Sequence, residues 1–193
     1  SVKSNNVNWS AVVYRTGIRD DILFVASPDL IGSGFFKNAG DTRRVGLDVE
    51  LAGGTDHFAW YASYGLVSGT FESPLRLPSN PAVNDASTED GDVAVDPGDR
   101  LPGIPRHSLK LGGRYDLTPE WNVSLGGIVA SSRFFVGDEG NDQEPLDGFG
   151  IVNLRSAYVV NESLELFGRV DNLFDAQYAT FGVLAEVEID LER

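Results

Sequence analysis

The chain has 193 residues, 41% of them hydrophobic and 23% charged, with no cysteine and a formal net charge of −14. The missing cysteines exclude disulfides, zinc–thiolate sites, iron–sulfur clusters and thiol nucleophiles, and the acidity, with no clustered basic face to offset it, excludes general binding to nucleic-acid phosphates. No run approaches the roughly 20 apolar residues of a spanning helix, which leaves soluble domains and membrane β-barrels, whose signal per strand is weaker.

Reading for period 2 predicts eight strands. The first runs from Val7 to Thr16 and the second from Asp21 to Ser27, joined by the tight Gly17-Ile18-Arg19-Asp20 connection. A longer loop leads to the third, Phe36 to Leu51, where Val45, Leu47, Val49 and Leu51 share a face opposite Arg44, Asp48 and Glu50. Gly53-Gly54-Thr55-Asp56 makes a short turn into the fourth, His57 to Phe71, with Phe58, Trp60, Ala62, Tyr64 and Leu66 on one face. The proline-rich, acidic stretch Glu72 to Gly103 reads as one long strandless loop.

The fifth strand, Pro105 to Leu117, sets Leu109, Leu111 and Tyr115 against Lys110, Arg114 and Asp116, and Thr118-Pro119-Glu120 turns it into the sixth, Trp121 to Val136. An acidic loop, Gly137 to Gly148, precedes the seventh, Phe149 to Val160; Asn161-Glu162-Ser163 then leads to the eighth, from Leu164, where Leu164, Leu166 and Val170 oppose Glu165, Arg169 and Asp171. Phe167 is the one bulky apolar residue among those charges.

Every second connection is short. An outer-membrane barrel has this pattern, with tight periplasmic turns and long outer loops, so the long loops after the second, fourth, sixth and eighth strands share one extracellular rim. The charges on the second face suit a wet lumen; a sandwich core would strand them without partners. Trp9, Tyr14, Trp60, Tyr61, Tyr115, Trp121 and Tyr158 lie near strand ends, as interfacial girdles would.

Several segments resemble TonB-dependent outer-membrane receptors, in the order the family has them. They are Tyr14-Arg15-Thr16 with Asp21-Ile22, Asn38 to Asp48, Gly98-Asp99-Arg100-Leu101-Pro102-Gly103-Ile104-Pro105-Arg106-His107, Leu146-Asp147-Gly148-Phe149, and Asn172-Leu173-Phe174-Asp175 with Tyr178. The resemblance implies an all-β fold: an antiparallel transmembrane barrel fragment of about eight strands, residues 1–193 forming the C-terminal part of a longer receptor whose plug domain and closing strand lie elsewhere. It implies a Gram-negative outer-membrane location, lipid around the wall, TonB acting through the plug, and import of a scarce nutrient, most often a ferric siderophore. Neither enzyme activity nor a required cofactor is expected. The rival readings are a small porin or adhesin and a soluble β-sandwich.

For catalysis the residues offer little. No carboxylate pair is fixed on one rigid element with the apolar surroundings that would raise a general acid's pKa, and His57 and His107, the two histidines, are placed at opposite rims, which argues against a shared metal or a catalytic triad. The acidic loop residues Asp138, Glu139 and Asp142 are candidate Ca²⁺ ligands, with solvated charge as the alternative. Arg76, Arg100 and Arg106, near the outer rim, are candidate contacts for an anionic siderophore or phosphate-bearing ligand, with pairing to nearby acids as the alternative.

Overall fold

In a computed structural model the described residues are 7–26, 34–38, 40–78 and 91–184, and all their regular elements are strands. In chain order these are β1 (Val7–Ile18), β2 (Ile22–Ala26), β3 (Gly34–Asn38), β4 (Thr42–Gly54), β5 (Phe58–Phe71), β6 (Leu75–Pro78) and β7 (Asp92–Val95). Then come β8 (His107–Asp116), β9 (Trp121–Ala130), β10 (Phe149–Asn161) and β11 (Leu164–Val170).

Seven of them form one antiparallel sheet in the order β1-β4-β5-β8-β9-β10-β11, while β2–β3 and β6–β7 are separate two-stranded ribbons. The antiparallel all-β reading therefore holds, with four corrections. The second predicted strand is not part of the wall: β1 pairs directly with β4, and Gly17 to Asp20 leads to the outer ribbon rather than to a periplasmic turn. The third predicted strand is two strands, broken at Gly40. That glycine has φ of 71°, and a Cβ on it would lie 2.3 Å from Ser73 Oγ, so a larger residue would be strained and would have to displace Ser73. The loop after β5 is not strandless, because Leu75–Pro78 pairs with Asp92–Val95. The sixth strand also ends earlier than predicted, at Ala130.

The register shows how the sheet is tilted. Straight across from Val7 lie Gly53, Trp60, Gly113, Leu125, Leu154 and Val170 in turn. This line starts at the first residue of β1, beside the short β4–β5 turn, and ends at the last residue of β11, at the loop-bearing end. Strands slipping steadily past one another in this way are the stagger of a barrel wall. The described sheet is open, with β1 and β11 at its edges.

Parity along this register sorts most of the side chains by polarity, with Val12, Ile128, Ile151, Val159 and Phe167 as apolar members of the second face. One face carries Val7, Trp9, Val13, Leu47, Val49, Leu51, Tyr64, Leu109, Leu111, Leu125, Val129, Leu154, Leu166 and Val170; the other carries Ser10, Asp48, Glu50, Ser63, Lys110, Arg114, Ser124, Arg155, Glu165 and Arg169. Leu111 is 45%, Leu125 51% and Leu166 57% exposed, and among the described residues no second sheet covers them. Among the described residues this face is therefore not a sandwich core. Tyr14 and Tyr61 are corrected out of the lipid-side girdle. Their rings lie over Gly46 and Gly112 on the polar face, filling space those glycines leave open, as aromatic rings rescue strand glycines elsewhere.

The buried apolar core lies off the wall. Phe71, Leu77, Val93, Val95 and Leu101 are at most 4% exposed, and Leu23, Leu75 and Ile104 pack against them. These residues come from the end of β5, the β6–β7 ribbon, the β2–β3 ribbon and the loop before β8. The outer loops thus fold around their own small core.

Candidate functional site

The outer rim is built by polar clasps around that core. Asp21 Oδ2 accepts hydrogen bonds from Thr42 Oγ1 at 2.6 Å and from Arg44 Nη1 and Nη2, both at 3.2 Å, so one carboxylate ties the start of the first outer loop to the top of β4. Thr42 is 1% exposed, which strengthens such a charge-assisted bond. Asn141, at φ 58°, clasps the backbone of Arg100: the Arg100 N–H donates to Asn141 Oδ1 at 2.6 Å, and Asn141 Nδ2 donates to the Arg100 carbonyl at 3.0 Å. The β9–β10 loop is thereby fixed to the loop before β8.

The three acids read as Ca²⁺ ligands are placed differently from a cation cage. Asp138 is fully enclosed and spends its carboxylate on its own turn, Oδ1 accepting the Asp142 N–H at 2.8 Å and Oδ2 the Gln143 N–H at 3.2 Å. Glu139 Oε1 accepts the Gly137 N–H at 3.1 Å. Among the described residues no group of three acidic, histidine or cysteine side chains converges to hold a metal. Burial raises the pKa of Asp138 and of Glu139, with the neighbouring acids adding to it and backbone N–H groups opposing it. Asp99 is raised in the same way, by burial first and then by Asp96 and Asp142.

The candidate arginines divide. The Arg100 guanidinium lies 5.4 Å from the centre of the Phe134 ring, and its pKa is lowered by burial and then by the like charge of Arg106. Arg106 thus lies within electrostatic range of Arg100. Arg76 is exposed on β6, where Leu75 and Leu77 turn inward to the core and leave it on the opposite side of the ribbon. The histidines keep their predicted separation: His57 adjoins the β4–β5 turn, whereas His107 opens β8 at the outer end, its Nδ1 2.8 Å from the Tyr64 hydroxyl.

The Asn172-Leu173-Phe174-Asp175 signature has a local role. Its Asn172 and Asp175 both have φ of 51°, and the Asn172 side chain brackets Ala176, accepting its N–H at 3.0 Å and donating to its carbonyl at 2.9 Å. The Asn172 N–H donates to Asn153 Oδ1 at 2.8 Å and the Leu173 N–H to the Val152 carbonyl at 2.7 Å. Asparagine suits this position because it tolerates the left-handed region and bonds its own backbone. Leu173 and Phe174 stay exposed, while Tyr178 stacks on Phe149 at 4.9 Å. From this turn the chain returns to the rim, where buried Arg133 donates from Nη1 to the Thr180 carbonyl at 2.8 Å and Val136 bridges Val183.

Sequence reasoning missed a feature of the polar wall. Arg114, Ser124, Arg155 and Arg169 are direct partners across four neighbouring strands. They line a hollow of about 560 Å³ with Tyr61 and Phe167. Face parity was readable along each strand, but the register that aligns these residues was not.

The sequence model described as "TonB dependent receptor-like, beta-barrel" matches residues 2–173, so the chain belongs to that family. Receptors of this family are outer-membrane proteins of Gram-negative bacteria. Among curated relatives, the metal-pseudopaline receptor CntO of Pseudomonas aeruginosa is 28% identical over 157 residues, 80% of this chain and 20% of the relative. The catecholate siderophore receptor Fiu of Escherichia coli is 25% identical over 171 residues, 88% of this chain and 20% of the relative. The chain thus spans about a fifth of the length of these relatives. In fold it is similar to the crystal structure of the siderophore receptor PiuA from Acinetobacter baumannii, with a TM-score of 0.69 at 18% identity over 92% of this chain and 23% of that one. It is also similar to the copper transporter OprC, with a TM-score of 0.62 at 23% identity over 95% of this chain and 25% of that one.

Proposed function

We propose that this chain forms part of the wall and outer vestibule of a Gram-negative receptor that imports a metal chelate, with a ferric siderophore as the first candidate cargo, using energy delivered by TonB. The observation that carries this reading is the family match over residues 2–173 on a staggered wall with one apolar and one polar face. Lipid covers the apolar face, and the rim loops meet the cargo from outside. No bond is made or broken; uptake requires only that the cargo bind differently in two states of the receptor.

Arg76, Arg100 and Arg106 are the proposed ligand contacts. Arg100 and Arg106 repel each other across a partly desolvated site, and an anionic chelate between them would relieve that repulsion. The test is growth of a siderophore-deficient Gram-negative strain on supplied ferric siderophores under iron limitation, with the complete gene product expressed in the outer membrane. Growth that requires both this receptor and TonB supports the proposal. Receptor-independent growth on every metal chelate offered, with the protein correctly inserted, overturns it.

A further inference from the structure

We propose that Arg114, Arg155 and Arg169 form a carboxylate-binding site on the polar face of the wall, separate from the rim. Arg155 and Arg169 stand directly opposite each other on β10 and β11, an arrangement that destabilises a sheet unless an anion joins the pair. Arg114 and Arg155 flank Ser124 from either side in the same row. With neighbouring strands about 4.8 Å apart, this leaves about 10 Å between the two arginine backbones, spanned only by a serine. Gly126, beside that row, keeps part of the floor of the hollow low, while the Tyr61 ring covers its partner Gly112.

The guanidinium donors are available. Arg114 Nε is held by Asp116 at 2.9 Å and Arg169 Nε by Asp171 at 2.7 Å, which orients both forks but leaves their terminal nitrogens to bind elsewhere. Their side chains are 57% and 63% exposed. Arg155 has no carboxylate partner among the described residues; its guanidinium lies 5.7 Å from the centre of the Phe167 ring. Phe167, the lone bulky apolar residue on this face of β11, is 71% exposed and serves as the platform that holds Arg155. Three oriented guanidiniums around a hollow of about 560 Å³ suit carboxylates, which take bidentate bonds from such forks. The size falls within the range of small-molecule sites.

This site rests on the proposed function only in taking the polar face as the lumen. The carboxylate can come from a small anion in transit or from an acidic residue of the receptor's own enclosed polypeptide, and two arms separate these sources. In the first, citrate is titrated by calorimetry into the complete receptor in detergent, alongside its Arg155→Gln and Arg169→Gln variants. Citrate binding that weakens at least about tenfold in either variant, the loss of one charge-assisted contact, supports the small-anion source. In the second, a photo-cross-linking amino acid replaces Phe167 and the trapped peptide is identified by mass spectrometry. A cross-link to an Asp- or Glu-bearing segment of the same receptor supports the polypeptide source. Citrate binding unchanged by both substitutions, or no citrate binding together with no acidic cross-linked peptide, overturns the site. Growth on chelates is read independently, so a receptor that imports while failing both arms loses this site but keeps its transport function.

Discussion

The wall and the rim solve opposite problems with the same kinds of residue. On the wall, Leu111, Leu125 and Leu166 are about half exposed, as the lipid contact proposed for this face requires. At the rim, Phe71, Leu77, Val93 and Val95 are at most 1% exposed, packed by two short ribbons as in a water-soluble domain. The comparison teaches that the large buried apolar side chains of this chain gather at the rim, while the wall leaves its apolar face uncovered among the described residues. Loop order, on which a binding vestibule depends, therefore has its own hydrophobic core.

That division should break first at the rim core. Leu77→Ala removes a fully enclosed side chain from a small cluster and should cost about 2–5 kcal/mol. The expected readout is a large rise in hydrogen exchange and proteolysis confined to the outer loops, with the wall strands unchanged. On the wall the sensitive change is charge and not volume: Leu111→Arg should cost about 2–4 kcal/mol if it lies near the bilayer midplane, measured by urea unfolding in lipid vesicles. Ser63→Arg, on the opposite face, should cost far less. A smaller effect is expected at the turn joining the two regions, where Asn172→Ala loses both bonds to Ala176 and a favoured left-handed residue, about 1–3 kcal/mol in all. It should be seen as faster exchange at Ala176 and around Tyr178.

The pH response should sharpen the contrast further. Asp99, Asp138 and Glu139 all have folded pKa values raised by burial. For a raised carboxylate the folded state holds its proton more tightly, so its stabilising effect is complete below the unfolded pKa and is lost as pH rises through the folded one. The rim loops should therefore be most protected at acid pH and loosen across the upper carboxylate range. Glu139→Gln should flatten part of that slope, and the wall should show none of it; exchange rates measured at a series of pH values test both.

Much of the wall was legible in the sequence. The alternation of Leu164, Leu166 and Val170 against Glu165 and Arg169 predicts β11, and Phe58 to Leu66 predicts β5 with its faces correctly assigned. The parity that puts Tyr14 with Ser10 and Thr16 was equally readable, and proximity to a strand end wrongly outweighed it. What failed was partnership. Ile22 to Ala26 is an unbroken apolar run with the composition of a strand, and nothing local says that β1 will skip it and pair with β4. The β6–β7 ribbon was hidden because prolines and acids surround two runs of four residues, although Leu75, Leu77, Val93 and Val95 carry the alternation. The arginine row was beyond reach for the same reason: charges spread over four neighbouring strands meet only once the register is known.

The most direct test of the two-faced wall is the accessibility of nitroxide labels in the complete receptor reconstituted in lipid. Labels are placed singly at Leu111 and Leu125 on one face and at Lys110 and Ser124 on the other, and collision rates are compared for oxygen, which partitions into lipid, and for a water-soluble nickel chelate. The account predicts high oxygen and low nickel collision at Leu111 and Leu125, with the order reversed at Lys110 and Ser124. Equal accessibility on both faces, or water exposure at Leu111 and Leu125, would contradict it.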